Sequence, residues 1–168
     1  MGKKVTEVVE AVVLKNKPVV SYYRSGDPTT NFDWVSSLTE INIINTKKLT
    51  DEFIDVCLKN KHRIFLHFVI TGMGQTPFEP NIPSVKNSFF QLKKLIDSGF
   101  PQKQILVVVN PIIQNENGLK ALKLLLKVFT EFKELRLRFI RFSLLQIANG
   151  KTDVKLGFAN PNIDDRVG

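Results

Sequence analysis

Apolar residues recur along the chain in short runs, which turn-forming and charged residues separate. The densest run covers residues 64–70, where His67 is the single polar residue. A run of this length and density predicts a strand that is buried on both faces. Four further runs have strand character, and they cover residues 18–23, 40–45, 104–109 and 135–145.

Between these runs, apolar residues at intervals of three and four predict amphipathic helices. Thr50 and Ser84 stand where each of two helices should begin, because a side-chain hydroxyl can accept a hydrogen bond from a free backbone N–H of the first turn. Gly99 and Pro101 should close the second of these helices. A third helix is expected after Asn117.

The regular alternation of strands and helices predicts an α/β fold in which the strands are parallel. We expect about five βα units, arranged as an open sheet or as a partial TIM-like barrel, because 168 residues are too few for a complete eight-stranded barrel. Residues 18–146 should form this domain. Residues 1–17 would be an N-terminal extension, and residues 147–168 a loosely structured C-terminal tail.

The segment after the 64–70 run is the most distinctive loop of the chain. Thr71, Gly72, Met73 and Gly74 form a turn, and prolines 77, 80 and 83 exclude a regular helix up to Ser84. In parallel α/β sheets, ligands bind where the strands end and the following loops begin. The polar residues at these positions are the candidate ligand-binding residues: Ser21, Arg24, Asp27, Asn45, Lys47, Thr71, Gly72, Gly74, Glu79, Asn81 and Asn110.

The charge of the chain is compatible with several kinds of partner. A net charge of +8 favours nucleic acid, phosphorylated ligands or an acidic protein surface. A lysine-rich composition that reflects an A/T-rich genome explains the same number equally well. Residues 147–168 could also reach a partner in a larger assembly.

Some chemistries lack the residues that they need. Cys57 is the one cysteine, which excludes an intrachain disulfide and an iron–sulfur cluster held by several cysteines of this chain. His62 and His67 belong to no metal-binding spacing, so no metal ligand is assigned, and Cys57 and His67 are expected to be buried core residues.

No apolar run approaches the length of a membrane span, and residues 1–10 do not look like a signal peptide. We therefore expect a cytoplasmic protein with no membrane partner.

Four segments, in this order, resemble the bacterial family known as domain of unknown function 1848, whose members look like radical-SAM-type barrel proteins. They are SYYRSGDP (21–28), INIINTKKL (41–49), ITGMGQTPFEPNIP (70–83) and VVVNPII (107–113). The third is the most specific, because a glycine pair followed by Glu-Pro-Asn-x-Pro is uncommon. The resemblance implies a βα partial barrel with a cavity at the strand ends that can hold S-adenosylmethionine.

The chain departs from that family at several positions. It has no cysteines after Gln146, where family members carry residues suited to an iron–sulfur cluster. It also has Val108 and Asn110 in place of a charged Arg and Asp, and Asn45 in place of an aromatic residue. Without a cluster, reductive cleavage of S-adenosylmethionine has no electron source in the chain.

Two hypotheses follow from this resemblance and its gaps. In the first, the chain is a degenerate barrel that serves as a non-catalytic binding or structural component, on nucleic acid or in a larger assembly. In the second, it is an enzyme domain, or a fragment of a longer radical-SAM-type protein, that binds S-adenosylmethionine or a nucleotide-like ligand at the strand ends. Whether the chain is an enzyme stays open at this stage.

Overall fold

The protein is an α/β fold built on one parallel sheet, as the alternation of strands and helices predicted. The computed structural model describes the backbone of residues 20–23 and all of residues 26–144. The strands are β1 (Val20–Tyr23), β2 (Ile41–Thr46), β3 (Ile64–Ile70), β4 (Ile105–Ile112) and β5 (Phe139–Leu144). The helices are α1 (Asp51–Lys59), α2 (Val85–Asp97) and α3 (Glu116–Glu131).

The five strands lie in the sheet in the order in which they occur in the chain, and each pair of neighbours is parallel. This order is compatible with an open sheet and with part of a barrel. The predicted extension 1–17 and tail 147–168 lie outside the described residues, so the predicted domain limits stay predictions.

Each of the three helices begins at a side-chain cap. Thr50 accepts a hydrogen bond from the backbone N–H of Phe53, and Ser84 accepts one from Asn87, which confirms both predicted helix starts. The third helix begins at Glu116, two residues earlier than expected, because the Asn115 side chain caps it by accepting a hydrogen bond from Gly118 N. These caps satisfy backbone donors that the first turn leaves without a partner.

The helices cover one face of the sheet, which we call the helix face. Ile44, Leu66, Phe68 and Val107 point to it and are almost completely buried against the helical core. Consecutive strands joined by right-handed crossovers place every helix on the same side, which explains this arrangement. The core is closed near the first strand by Trp34, which packs on Phe53.

The opposite face, which we call the open face, is not covered in the same way. Phe65 is 37% exposed, and His67 and Val69 are half-buried. The prediction that this strand is buried on both faces, with His67 in the core, was therefore wrong. The strand is exposed on this side because the strands lie in the sheet in chain order. With this order, no helix of the described residues covers the open face.

The fifth strand begins later than predicted. Residues Lys133–Leu135 form a short 3-10 turn, and Arg136 follows it in a left-handed conformation with φ of +47°. Leu135 turns into the core there, where it is 2% exposed. The alternation of leucine and arginine at residues 135–138 thus reflects a turn that anchors the chain before the strand begins at Phe139.

Candidate functional site

A cavity of about 630 Å³ lies on the open face, at the carboxyl edge of the sheet. Strands β2, β3, β4 and β5 all contribute to it, together with the loop after β1. The lining residues are Gly26, Asp27, Pro28, Asn45, Thr46, Lys47, Val69, Ile82, Val108, Asn110 and Arg141. This is the edge at which the sequence predicted a site.

The strand register explains why these side chains meet. Val69 pairs with Val108, which pairs with Arg141, so the three lie in one row across the sheet. Two residues earlier on each strand, His67 pairs with Leu106, which pairs with Phe139. Residues two apart on a strand share a face, and both rows therefore belong to the open face.

Asp27 is held in the turn that follows β1. Its carboxylate accepts hydrogen bonds from Thr29, at 3.1 Å from the backbone nitrogen and 2.8 Å from the hydroxyl oxygen, and Lys48 Nζ lies 3.4 Å away. Burial alone would raise the pKa of Asp27. The Thr29 hydrogen bonds and the Lys48 charge outweigh that effect together, so the pKa of Asp27 is lowered from 3.8 and the residue is ionised at neutral pH.

Trp34 fixes this turn against the core. Its indole N–H donates to the backbone oxygens of Pro28, at 3.0 Å, and Asn31, at 3.1 Å. The indole is 6% exposed and belongs to the hydrophobic core. One wall of the cavity is therefore tied to the hydrophobic core.

Glu79 connects the loop after β3 to the end of β2. Lys47 Nζ and the Thr71 hydroxyl each donate to a different carboxylate oxygen of Glu79, whose side chain is 12% exposed. The loop backbone supports this contact, because Gln75 N donates to the oxygens of Glu79, at 3.0 Å, and Ile82, at 2.9 Å. The result is a folded loop that presents Ile82 to the cavity.

The loop folds this tightly because Gly74 has no side chain. A Cβ atom at this position would lie 1.9 Å from the backbone oxygen of Pro83. Gly74 also forms an isolated parallel bridge with Glu79. The second glycine of the loop is thus required by a close backbone approach.

Arg141 supplies the unbalanced charge of the cavity. Asp27 is paired with Lys48 and Glu79 with Lys47, whereas Arg141 is exposed and makes no ion pair or hydrogen bond with the residues that the structure describes. Burial lowers the pKa of His67, and the positive charge of Arg141 lowers it further. The cavity therefore keeps one positive charge available to an anion.

The predicted site residues divide into groups. Asp27, Asn45, Lys47 and Asn110 line the cavity, while Thr71 and Glu79 form its loop anchor. Gly72 lines a separate cavity of about 170 Å³, and the exposed Asn81 lines a groove beside α2. Ser21 pairs with Asn42 in the sheet, but its side chain and all of Arg24 lie outside the described residues.

Arg141 was not among the predicted site residues. The signal that could have found it is the alternation from Phe139 to Ser143, which puts Phe139, Arg141 and Ser143 on the same face as the other strand ends. Arg136 and Arg138, which alternate with leucines in the same apolar run, precede the strand. Val69 and Val108 also line the cavity. Val108 is buried, as its apolar run predicted, whereas Val69 is half-buried.

Comparison of the chain with protein-family models, with curated proteins and with solved structures found no significant match in any of the three. Within residues 20–23 and 26–144, no group of three or more His, Cys, Asp or Glu side chains could hold a metal ion. None of the helices in the described part of the chain is long and apolar enough to span a membrane. Cys57 is fully buried in α1, as predicted, and burial raises the pKa of its thiol to about 12.

Proposed function

We propose that this chain is a binding domain for a small ligand that carries an acidic group, of the size of a nucleotide or of S-adenosylmethionine. The ligand would lie in the cavity at the carboxyl edge of the sheet. The observation that carries the proposal is the exposed guanidinium of Arg141, which lines the cavity without a counter-charge in the described part of the chain.

The size and chemistry of the walls support a ligand of this class. A volume of about 630 Å³ is within the range of small-molecule sites. Val69, Val108 and Ile82 supply apolar wall, and Asn45 and Asn110 supply amides. Such sites combine a mostly apolar lining with a few polar groups that orient the ligand.

The cavity residues are compatible with binding of S-adenosylmethionine, which the resemblance implies, but not with its reductive cleavage. Arg141 would bind its carboxylate, because a guanidinium binds carboxylates through two parallel hydrogen bonds. An iron–sulfur cluster does not fit, because the sole thiol of the chain is the buried Cys57. We therefore assign binding and no reaction.

The proposal is tested with adenosine monophosphate, adenosine and S-adenosylmethionine on the full chain, by thermal melting and titration calorimetry. Adenosine monophosphate at about a hundred times its Kd should raise Tm by about 5 °C. Adenosine has the same ring and sugar without the phosphate, and it should bind at least about tenfold more weakly.

The matched variants are Arg141→Gln and Arg138→Gln. Both residues are exposed arginines of the same segment, but Arg141 alone lines the cavity. Arg141→Gln should weaken binding of the phosphate ligand by about tenfold or more, and Arg138→Gln should leave it unchanged. A flat response to all three ligands, or an equal loss in both variants, would contradict the proposal.

The predicted nucleic-acid or acidic-protein partner stays a prediction. On α3, Lys120 is paired with Glu116, and the exposed Leu124 adjoins Lys120 and Lys127, which are four and three residues away on the helix. This helix therefore presents a mixed surface and not a continuous basic stripe. Salt-dependent retention of the full chain on nucleic acid is the measurement that tests a polyanionic partner.

A further inference from the structure

The open face continues below the cavity as an apolar surface. Phe65, Leu106 and Phe139 lie on this face, one or two rows nearer the amino ends of the strands than Arg141. Phe139 is 52% exposed and Phe65 is 37% exposed. We call these three residues the apolar floor.

We propose that the acidic ligand also carries a planar ring, and that this ring stacks on Phe139 of the apolar floor while the acidic group binds Arg141. This inference rests on the proposed function and specifies its ligand class. The structural basis is one strand that presents an aromatic ring and a cation on the same face, two residues apart, and this cation has no ion pair among residues 26–144.

The spacing suits the two ends of one small molecule. Two residues along a strand correspond to about 7 Å. A phosphate or carboxylate and a ring in the same nucleotide-sized ligand can span that distance. Aromatic side chains bind such rings by stacking, and the contact tolerates different rings because each has a flat π-face.

The charge of the face distinguishes this occupant from a second copy of the chain. A two-fold contact through the open face would bring the same patch of both copies together. Two Arg141 side chains, neither of them paired within the described residues, would then meet in one interface. Like charges at an interface are unfavourable, whereas a small acid neutralises the single charge.

The test compares adenosine monophosphate with ribose 5-phosphate, which has the acidic group and no ring. The full chain should bind adenosine monophosphate about tenfold more tightly. Phe139→Ala should remove most of that tenfold difference and leave ribose 5-phosphate binding unchanged. Phe139→Tyr keeps a ring and should retain the difference.

Phe142→Ala is the matched control. Phe142 is 49% exposed on the same strand, but it pairs in the row of Val109 and therefore belongs to the other face. It should change neither affinity. Both variants remove the same side chain at nearly the same exposure, so they differ in the face of the sheet that loses a phenylalanine ring.

Three results would overturn the inference. If both ligands bind equally and Arg141→Gln still weakens both, the ring contact is wrong and the proposed function stands. If neither ligand binds, the proposed function fails and the inference fails with it. If Phe139→Ala changes the oligomeric state in sedimentation and leaves ligand affinity unchanged, the apolar floor binds a second copy.

Discussion

At the scale of single residues, Asp27 shows how a turn can hold a charge in place. Burial of the carboxylate favours its neutral form, but two hydrogen bonds from Thr29 and the charge of Lys48 stabilise the ionised form, so the pKa of Asp27 is lowered. Asp27 was a candidate site residue because it follows the predicted strand at residues 18–23. In the structure its cationic partner is Lys48, which lies two residues after the carboxyl end of β2.

We predict that Asp27→Asn lowers the free energy of unfolding in a pH-dependent way. Because the folded pKa lies below 3.8, the contribution of Asp27 is complete above about pH 3.8 and is lost as pH falls through the folded pKa. Urea unfolding from pH 7 downwards should show wild type and variant converging at acidic pH. Asp55→Asn, at an exposed position of α1, serves as the control, and a gap that stays constant at the lowest pH would contradict the expectation.

Cys57 and His67 show how well burial could be predicted from the sequence pattern. Both were predicted to be buried, because each lies inside an apolar pattern. The prediction was right for Cys57, whose helix packs on the core, and wrong for His67. An apolar strand pattern indicates that a strand belongs to the sheet, but it does not tell which face another layer covers.

At the scale of elements, the loop between β3 and α2 is the best-determined part of the site. Its prolines and Gly74 predicted an ordered loop, and the structure adds the reason for the order in the carboxylate of Glu79. The sequence could not predict that Lys47 is its partner, because the two residues are far apart in the chain. Their contact depends on β2 and β3 being neighbours.

We predict that Glu79→Gln loosens this loop without unfolding the protein. A neutral amide keeps the size of the side chain but loses the charge that Lys47 and Thr71 stabilise. Hydrogen exchange at the amides of Gln75 and Ile82 should become about tenfold faster. Glu131→Gln, at the exposed end of α3, should leave both amides unchanged, and equal exchange in wild type and Glu79→Gln would show that the ion pair does not order the loop.

At the scale of the whole molecule, burial is uneven across the sheet. Alternate residues of β3 are fully buried and bond to strands on both sides, whereas no residue of β5 is fully buried: five of the six are exposed and Ser143 is half-buried. The α/β class, the parallel strands and the edge that carries the cavity all followed from the strand–helix alternation. The exposure of β5 could not be predicted in this way, because the apolar run that contains it resembles that of a core strand.

We predict a gradient of stability across the sheet. Backbone amides of β3 should exchange at rates set by global unfolding, and those of β5 should exchange through local opening at least about a hundredfold faster. Exchange read by NMR on the full chain measures both strands at once, so β3 is the internal standard. Equal protection of the two strands would show that a further layer covers β5.

The order of the strands also bears on how the chain emerges from the ribosome. Each new strand finds its parallel neighbour already made, since each of the five described strands pairs only with the strands that come directly before and after it in the chain. Assembly can therefore proceed from the first strand to the last while translation continues. The newest strand is always one edge of the growing sheet, and β1 remains the other, so the edge strand open to wrong partners moves along with the growing end of the chain.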